Sequence, residues 1–111
     1  RMHRYEDGKI AVAPVSLSLM DEADATEEDM EDIAAFLGQI EGVETSVTIR
    51  ELAEGGCKLS VRTSGGLNAT KVCARLGGGG HAAAAGCTVS GTLAEAEAAI
   101  LDAIRQVEAG A

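Results

Sequence analysis

The sequence predicts an α+β fold: a mixed β-sheet of about five strands with helices packed on it, in a single domain. Three observations lead there. Some stretches alternate apolar and polar residues with period two, the spacing of a strand that buries one face. Others repeat apolar residues at i, i+3, i+4 and i+7, the stripe of an amphipathic helix. The chain has 111 residues, 46% of them apolar and 24% charged, the size and balance of one ordinary domain with a continuous core.

In chain order, residues 1–8 are polar and carry no period, so no element is expected there. Arg1 precedes Met2, the start expected of a fragment of a longer chain or of residues left by cloning. The domain proper is expected over residues 9–111. Lys9 to Met20 reads as a strand, with Val15, Leu17 and Leu19 alternating with Ser16 and Ser18. Pro14 lacks an amide proton and belongs at an edge or at the strand's start. Asp21 to Thr26 is a polar loop. Thr26 then caps a helix whose first residues, Glu27, Glu28 and Asp29, suit the positive end of the dipole. Its stripe is Met30, Ile33, Ala34 and Leu37, and Gly38 can end it.

Glu44 to Glu54 carries Thr45, Val47, Thr48 and Ile49, and Glu54-Gly55-Gly56 is a hairpin turn signal. The returning strand, Cys57 to Ser64, points Leu59, Val61 and Thr63 one way and Lys58, Ser60, Arg62 and Ser64 the other. Asn68 caps a helix through Leu76 with Ala69, Val72, Cys73 and Leu76 on one stripe. A glycine loop, Gly77 to Gly80, precedes His81 and four alanines, read as a short helical turn. Cys87 to Ser90 is a short strand. Thr92 and Glu95 form a capping box that opens the last helix, striped by Leu93, Ala96, Ile100, Ile104 and Val107.

Composition narrows the function classes. The net charge is −9, with nine basic residues against eighteen acidic, which argues against coating long nucleic acid or an anionic membrane. A small phosphate site remains compatible, since a few aimed donors outweigh a field screened over about 10 Å. Only Tyr5 and Phe36 are aromatic, too few for a base-stacking platform. No apolar run reaches membrane-spanning length, and Arg1 to Arg4, with no apolar stretch behind them before Lys9, do not read as a signal peptide. Cys57, Cys73 and Cys87 show no paired spacing, the pattern of free thiols in a reducing cytoplasm. For the same reason a zinc site is not supported, and a cysteine nucleophile paired with His81 lacks an acid placed to orient the ring. The acids at 27–32 read as a solvated helix start.

The glycine run is the strongest chemical feature. Each glycine in an ordered segment costs roughly 0.5–1 kcal/mol relative to alanine, and one use of that cost is to bring backbone amides close to an anion. His81 follows at once, with an imidazole able to donate from one nitrogen or both. Arg62, on the polar face of its strand, offers a planar fork suited to phosphate.

Gly78-Gly79-Gly80-His81-Ala82-Ala83-Ala84-Ala85-Gly86 resembles the GGGH-x-x-A-A-G signature of the accessory, substrate-binding domain of DHH-family phosphoesterases. The approach is similar too: a strand ending Val61-Arg62-Thr63-Ser64, then a helix leading into the glycines. The likeness spans about Lys9 to Val107 and is nearest the NrnA-type oligoribonucleases and nucleoside-bisphosphate phosphatases. It implies that Gly78, Gly79, Gly80, His81 and Arg62, with Ser64 a weaker candidate, hold the phosphate or terminal nucleotide of a short substrate. It implies no catalytic residue and no metal ligand in this chain. Mn2+ belongs to a catalytic DHH domain, absent here, of the same polypeptide; Met20-Asp21-Glu22 does not match its motif. Homodimerisation through the parent enzyme is a further implication. Ala82 and Ala83 stand where many relatives carry a polar or basic residue, which removes one possible substrate contact. The other readings are the accessory domain of a cyclic-dinucleotide phosphodiesterase or RecJ-type exonuclease, and a stand-alone interaction or RNA-binding module.

Overall fold

The computed structural model describes residues 2–110. Strand β1 (His3–Tyr5) pairs antiparallel with β2 (Ile10–Val15). Helices α1 (Leu17–Ala23) and α2 (Glu27–Gly38) then cross over to β3 (Thr45–Glu51), which runs parallel to β2. A hairpin leads into β4 (Cys57–Thr63), followed by α3 (Ala69–Ala74). A second hairpin, β5 (Gly79–His81) and β6 (Ala84–Val89), precedes the last helix, α4 (Leu93–Glu108). The sheet has six strands in the order β1-β2-β3-β4-β6-β5, mixed in direction as expected.

The alternation along β2, β3 and β4 divides the molecule into two faces. Ile10, Val12, Val47, Ile49, Leu59 and Val61, each no more than 2% exposed, point to one side. There they meet Val72 and Cys73 of α3 and Ile100 and Ile104 of α4 in a single cluster. Ala11 and Ala13 point to the other side, where Leu37 of α2 and Val43 form a smaller cluster with Ile33 and Ile40. Helix α2 also covers Ser46 and Thr48 of β3. Its start is fixed by a capping box: Asp29 donates its backbone N–H to Thr26 Oγ1 at 3.2 Å, and Thr26 N–H donates to the Asp29 carboxylate at 2.9 Å. The box expected at Thr92 and Glu95 is present. Pro14 lies beyond the β1 pairing, which stops at Val12, so β2 has a strand partner on one side only at that position.

Three expectations are corrected. Residues 1–8 are not structureless: His3–Tyr5 is a strand, and Arg1 lies outside the described residues. The reason is a partner far along the chain. His3 Nδ1 lies 2.8 Å from the Glu97 carboxylate and the Tyr5 hydroxyl donates to the same group, which is 8% exposed on α4. No local window contains that contact. Second, the strand does not run to Met20. Ser16 is extended, its hydroxyl accepts from Leu19 N–H at 3.1 Å, and α1 starts at Leu17. That helix reaches Ala23, within the stretch read as the polar loop. Third, the glycines and alanines form a β-hairpin, not a loop and a helical turn. The alanines have no β-branch to announce a strand, and pairing with β4 decides their conformation instead.

Candidate functional site

The hairpin places the sequence-picked residues on the outer half of the sheet. Arg62 on β4 stands directly opposite Ala84 on β6, and Ala84 directly opposite His81 on β5. Residues opposite one another in antiparallel strands share a face, so Arg62 and His81 flank Ala84 on the same side, two strand spacings or roughly 10 Å apart at the backbone. One step along, Ser60, Gly86 and Gly79 form the next row on that face. Both rows except His81, which stands beside it at the row's end, line a shallow trough of about 250 Å³ together with Gly80, Ala85 and Glu31 of α2. Its floor is nearly free of side chains, and α2 stands as its wall because it covers β3 and part of β4 but not β6 or β5.

The four glycines do not share one role. A Cβ on Gly78 would lie 2.1 Å from the Gly86 carbonyl oxygen and 2.5 Å from Cys87 Cβ. One on Gly80, where φ is +151°, would lie 2.6 Å from Ala85 Cα. Those two glycines let β5 close onto β6. Nothing lies within 4 Å of the Cβ position of Gly79, which leaves it free to face a ligand across the trough. The backbone is therefore only partly available for an anion. One side of β5 is taken by ladder pairing with β6; the other, as the sheet's outermost edge, has no strand partner among the described residues.

Arg62 is held at the wall. Its Nη2 donates to Glu31 Oε2 of α2, and both side chains stay open to solvent, 40% and 64% exposed. One turn back along α2, Glu27 lies 2.6 Å from Arg50 Nη2 and 3.5 Å from Lys58 Nζ. Of the acids at 27–32, read as a solvated start, Glu27 and Glu31 thus supply three ion pairs between α2 and the sheet. Sequence reasoning missed this role of Glu31, and the i, i+4 spacing of Glu27 and Glu31 opposite a basic strand face was the available signal. It also missed Ser60, Ala84 and Gly86 as the trough floor. Ser64 is set apart: its N–H donates to the Glu44 carbonyl at 2.8 Å, and it lines a smaller hollow of about 80 Å³ with Arg62 and Ser46. A larger cavity of about 420 Å³ shares Glu44 with the Ser64 hollow and no lining residue with the trough; in it Lys9 and Lys71 are balanced by Glu44 and Glu108.

No group of three or more His, Cys, Asp and Glu side chains that could hold a metal ion occurs among the described residues. The metal chemistry suggested by the resemblance finds no ligand set here, and no step is derived through it. The three cysteines are free and buried. Cys73 and Cys87 share a hydrogen bond that pushes the Cys73 thiol up, with burial adding to it, and draws Cys87 down. Burial pushes Cys57 up as well. All three pack in the core cluster on the sheet's far side from the trough, so none pairs with His81. No helix among the described residues is long and apolar enough to cross a membrane.

Residues 7–110 match the family model described as the DHHA1 domain. Over 93 residues the chain is 40% identical to a bifunctional oligoribonuclease and PAP phosphatase NrnA from Thermus thermophilus, a match covering 83% of this chain and 28% of that protein. Among solved structures, an exopolyphosphatase-related protein from Bacteroides fragilis superposes with a TM-score of 0.85 at 27% identity, covering 95% of this chain and 31% of that one. A pGpG-specific phosphodiesterase, PggH from Vibrio, superposes at 0.60 with 15% identity, covering 97% and 35%; that likeness concerns the fold alone.

Proposed function

The chain belongs to the DHHA1 domain family of the DHH phosphoesterases, and we propose that its trough grips the phosphate and terminal nucleotide of a short oligonucleotide or nucleoside bisphosphate. The observation that carries this reading is the lateral row Arg62, Ala84, His81 beside a floor of Gly79 and Gly86. A guanidinium and an imidazole bracket a surface with almost no side chains, so a phosphate can approach backbone on a flat strand and still meet two donors. The shortage of aromatics leaves recognition to phosphate and sugar in place of base stacking. The acidic net charge disfavours a long phosphate track and suits a short substrate.

The chain spans 28% of the curated relative it matches. In our reading it is the accessory part of a metal-dependent hydrolase. Mn2+ and the attacking water belong to a DHH catalytic domain of the same polypeptide, and this domain supplies orientation.

The test is a calorimetric titration with the 5′-phosphorylated dinucleotide pApA. Charged hydrogen bonds contribute about 1.5–3 kcal/mol, so Arg62→Ala is expected to weaken binding by roughly tenfold or more. His81→Ala is expected to weaken it in the same direction, with unchanged unfolding midpoints. Equal affinity in the parent and both variants rejects the reading.

A further inference from the structure

The trough presents Arg62 in an arranged state. A guanidinium carries five N–H donors in a rigid fork, and Glu31 engages only Nη2. Neither Nε nor Nη1 makes a hydrogen bond among the described residues, while Arg62 lines the trough. The helix that carries Glu31 is anchored on the sheet. Glu31 follows Met30 and precedes Ala34, both buried against the sheet, and Glu27 one turn earlier is tied to Arg50 and Lys58. A free arginine side chain samples many rotamers, and ordering it on binding weakens affinity.

Resting on the phosphate-binding reading above, we infer that Glu31 is a positioning residue. It holds the guanidinium by one nitrogen and leaves the rest of the fork for the ligand. The carboxylate also carries a negative charge near the incoming phosphate, so its two effects oppose one another. Orientation dominates in this geometry because the contact is end-on and solvent screens the charge of two exposed groups.

Three substitutions separate the two effects, read by titration with adenosine 5′-monophosphate. Glu31→Gln keeps an acceptor of the same reach and removes the charge; its affinity is expected to equal or exceed that of the parent. Glu31→Ala removes the acceptor and is expected to weaken binding about two- to tenfold, the cost of immobilising one rotamer-rich side chain. Glu31→Asp keeps the charge and shortens the reach, and is expected to weaken binding like Glu31→Ala. Combined with Arg62→Ala, Glu31→Ala is expected to add no further loss. A merely structural role would lower all three affinities along with the unfolding midpoint. Tighter binding by Glu31→Ala would show a competing counter-ion and overturn the inference, and so would an unchanged affinity. Both results leave the trough reading intact provided Arg62→Ala still weakens binding about tenfold or more. If Arg62→Ala leaves binding unchanged, the trough reading fails, and this inference with it.

Discussion

The two faces of strand β4 show how one seven-residue segment serves two purposes. Cys57, Leu59 and Val61 are fully buried against α3 and α4, while Lys58, Ser60 and Arg62 face α2 and the trough. On the first face the environment is apolar and close-packed, so shape governs. On the second it is wet and charged, so geometry of donors governs and stability is nearly indifferent. The difference predicts that substitutions two residues apart fall into separate classes, one changing folding and the other changing binding.

The largest expected effect is on the closed face. Leu59→Ala removes a fully buried side chain and should cost about 2–5 kcal/mol, measured by chemical denaturation. If it cost less than Arg62→Ala, the contrast between the faces would break. Next comes the glycine run, which repeats the contrast within two residues. Gly78→Ala drives a methyl to 2.1 Å from the Gly86 carbonyl oxygen and should destabilise by about 1–3 kcal/mol. Gly79→Ala meets nothing within 4 Å, so its unfolding midpoint should hold within about 0.5 kcal/mol. Its methyl would sit on the trough floor, and pApA affinity should fall. Arg62→Ala should change stability by about 1 kcal/mol or less, since its partner Glu31 is largely exposed.

The smallest effect concerns the β1 edge. The hydrogen bond to Glu97, followed by burial, raises the Tyr5 hydroxyl above its ordinary 10.0. A raised value means that the folded state holds its proton longer than the unfolded one. The stabilisation is complete below pH 10 and fades as pH climbs through the folded-state value. Tyr5→Phe should remove that alkaline sensitivity in a denaturation series.

Much of this was legible along the chain. Thr26 and Thr92 announced their helices, and the Cys57–Thr63 alternation separated the two faces of β4; of the residues picked by motif, Arg62, Gly79 and Gly80 line one trough. The failures share one cause, that the deciding partner lies far away in sequence. Tyr5 needs Glu97, the alanines need β4, and Arg62 needs Glu31. The glycines were read together for one use, an anion cradle; the closeness of Gly78 and Gly80 to β6 gives them a packing role that the sequence did not announce.

The most direct trial is an amide NMR map of the chain with saturating pApA. The account predicts shifts concentrated at residues 60–62, 79–81 and 84–86, with the 65–71 and 107–110 lining of the larger cavity undisturbed. Shifts confined to that cavity, or spread without focus over the sheet, would contradict it.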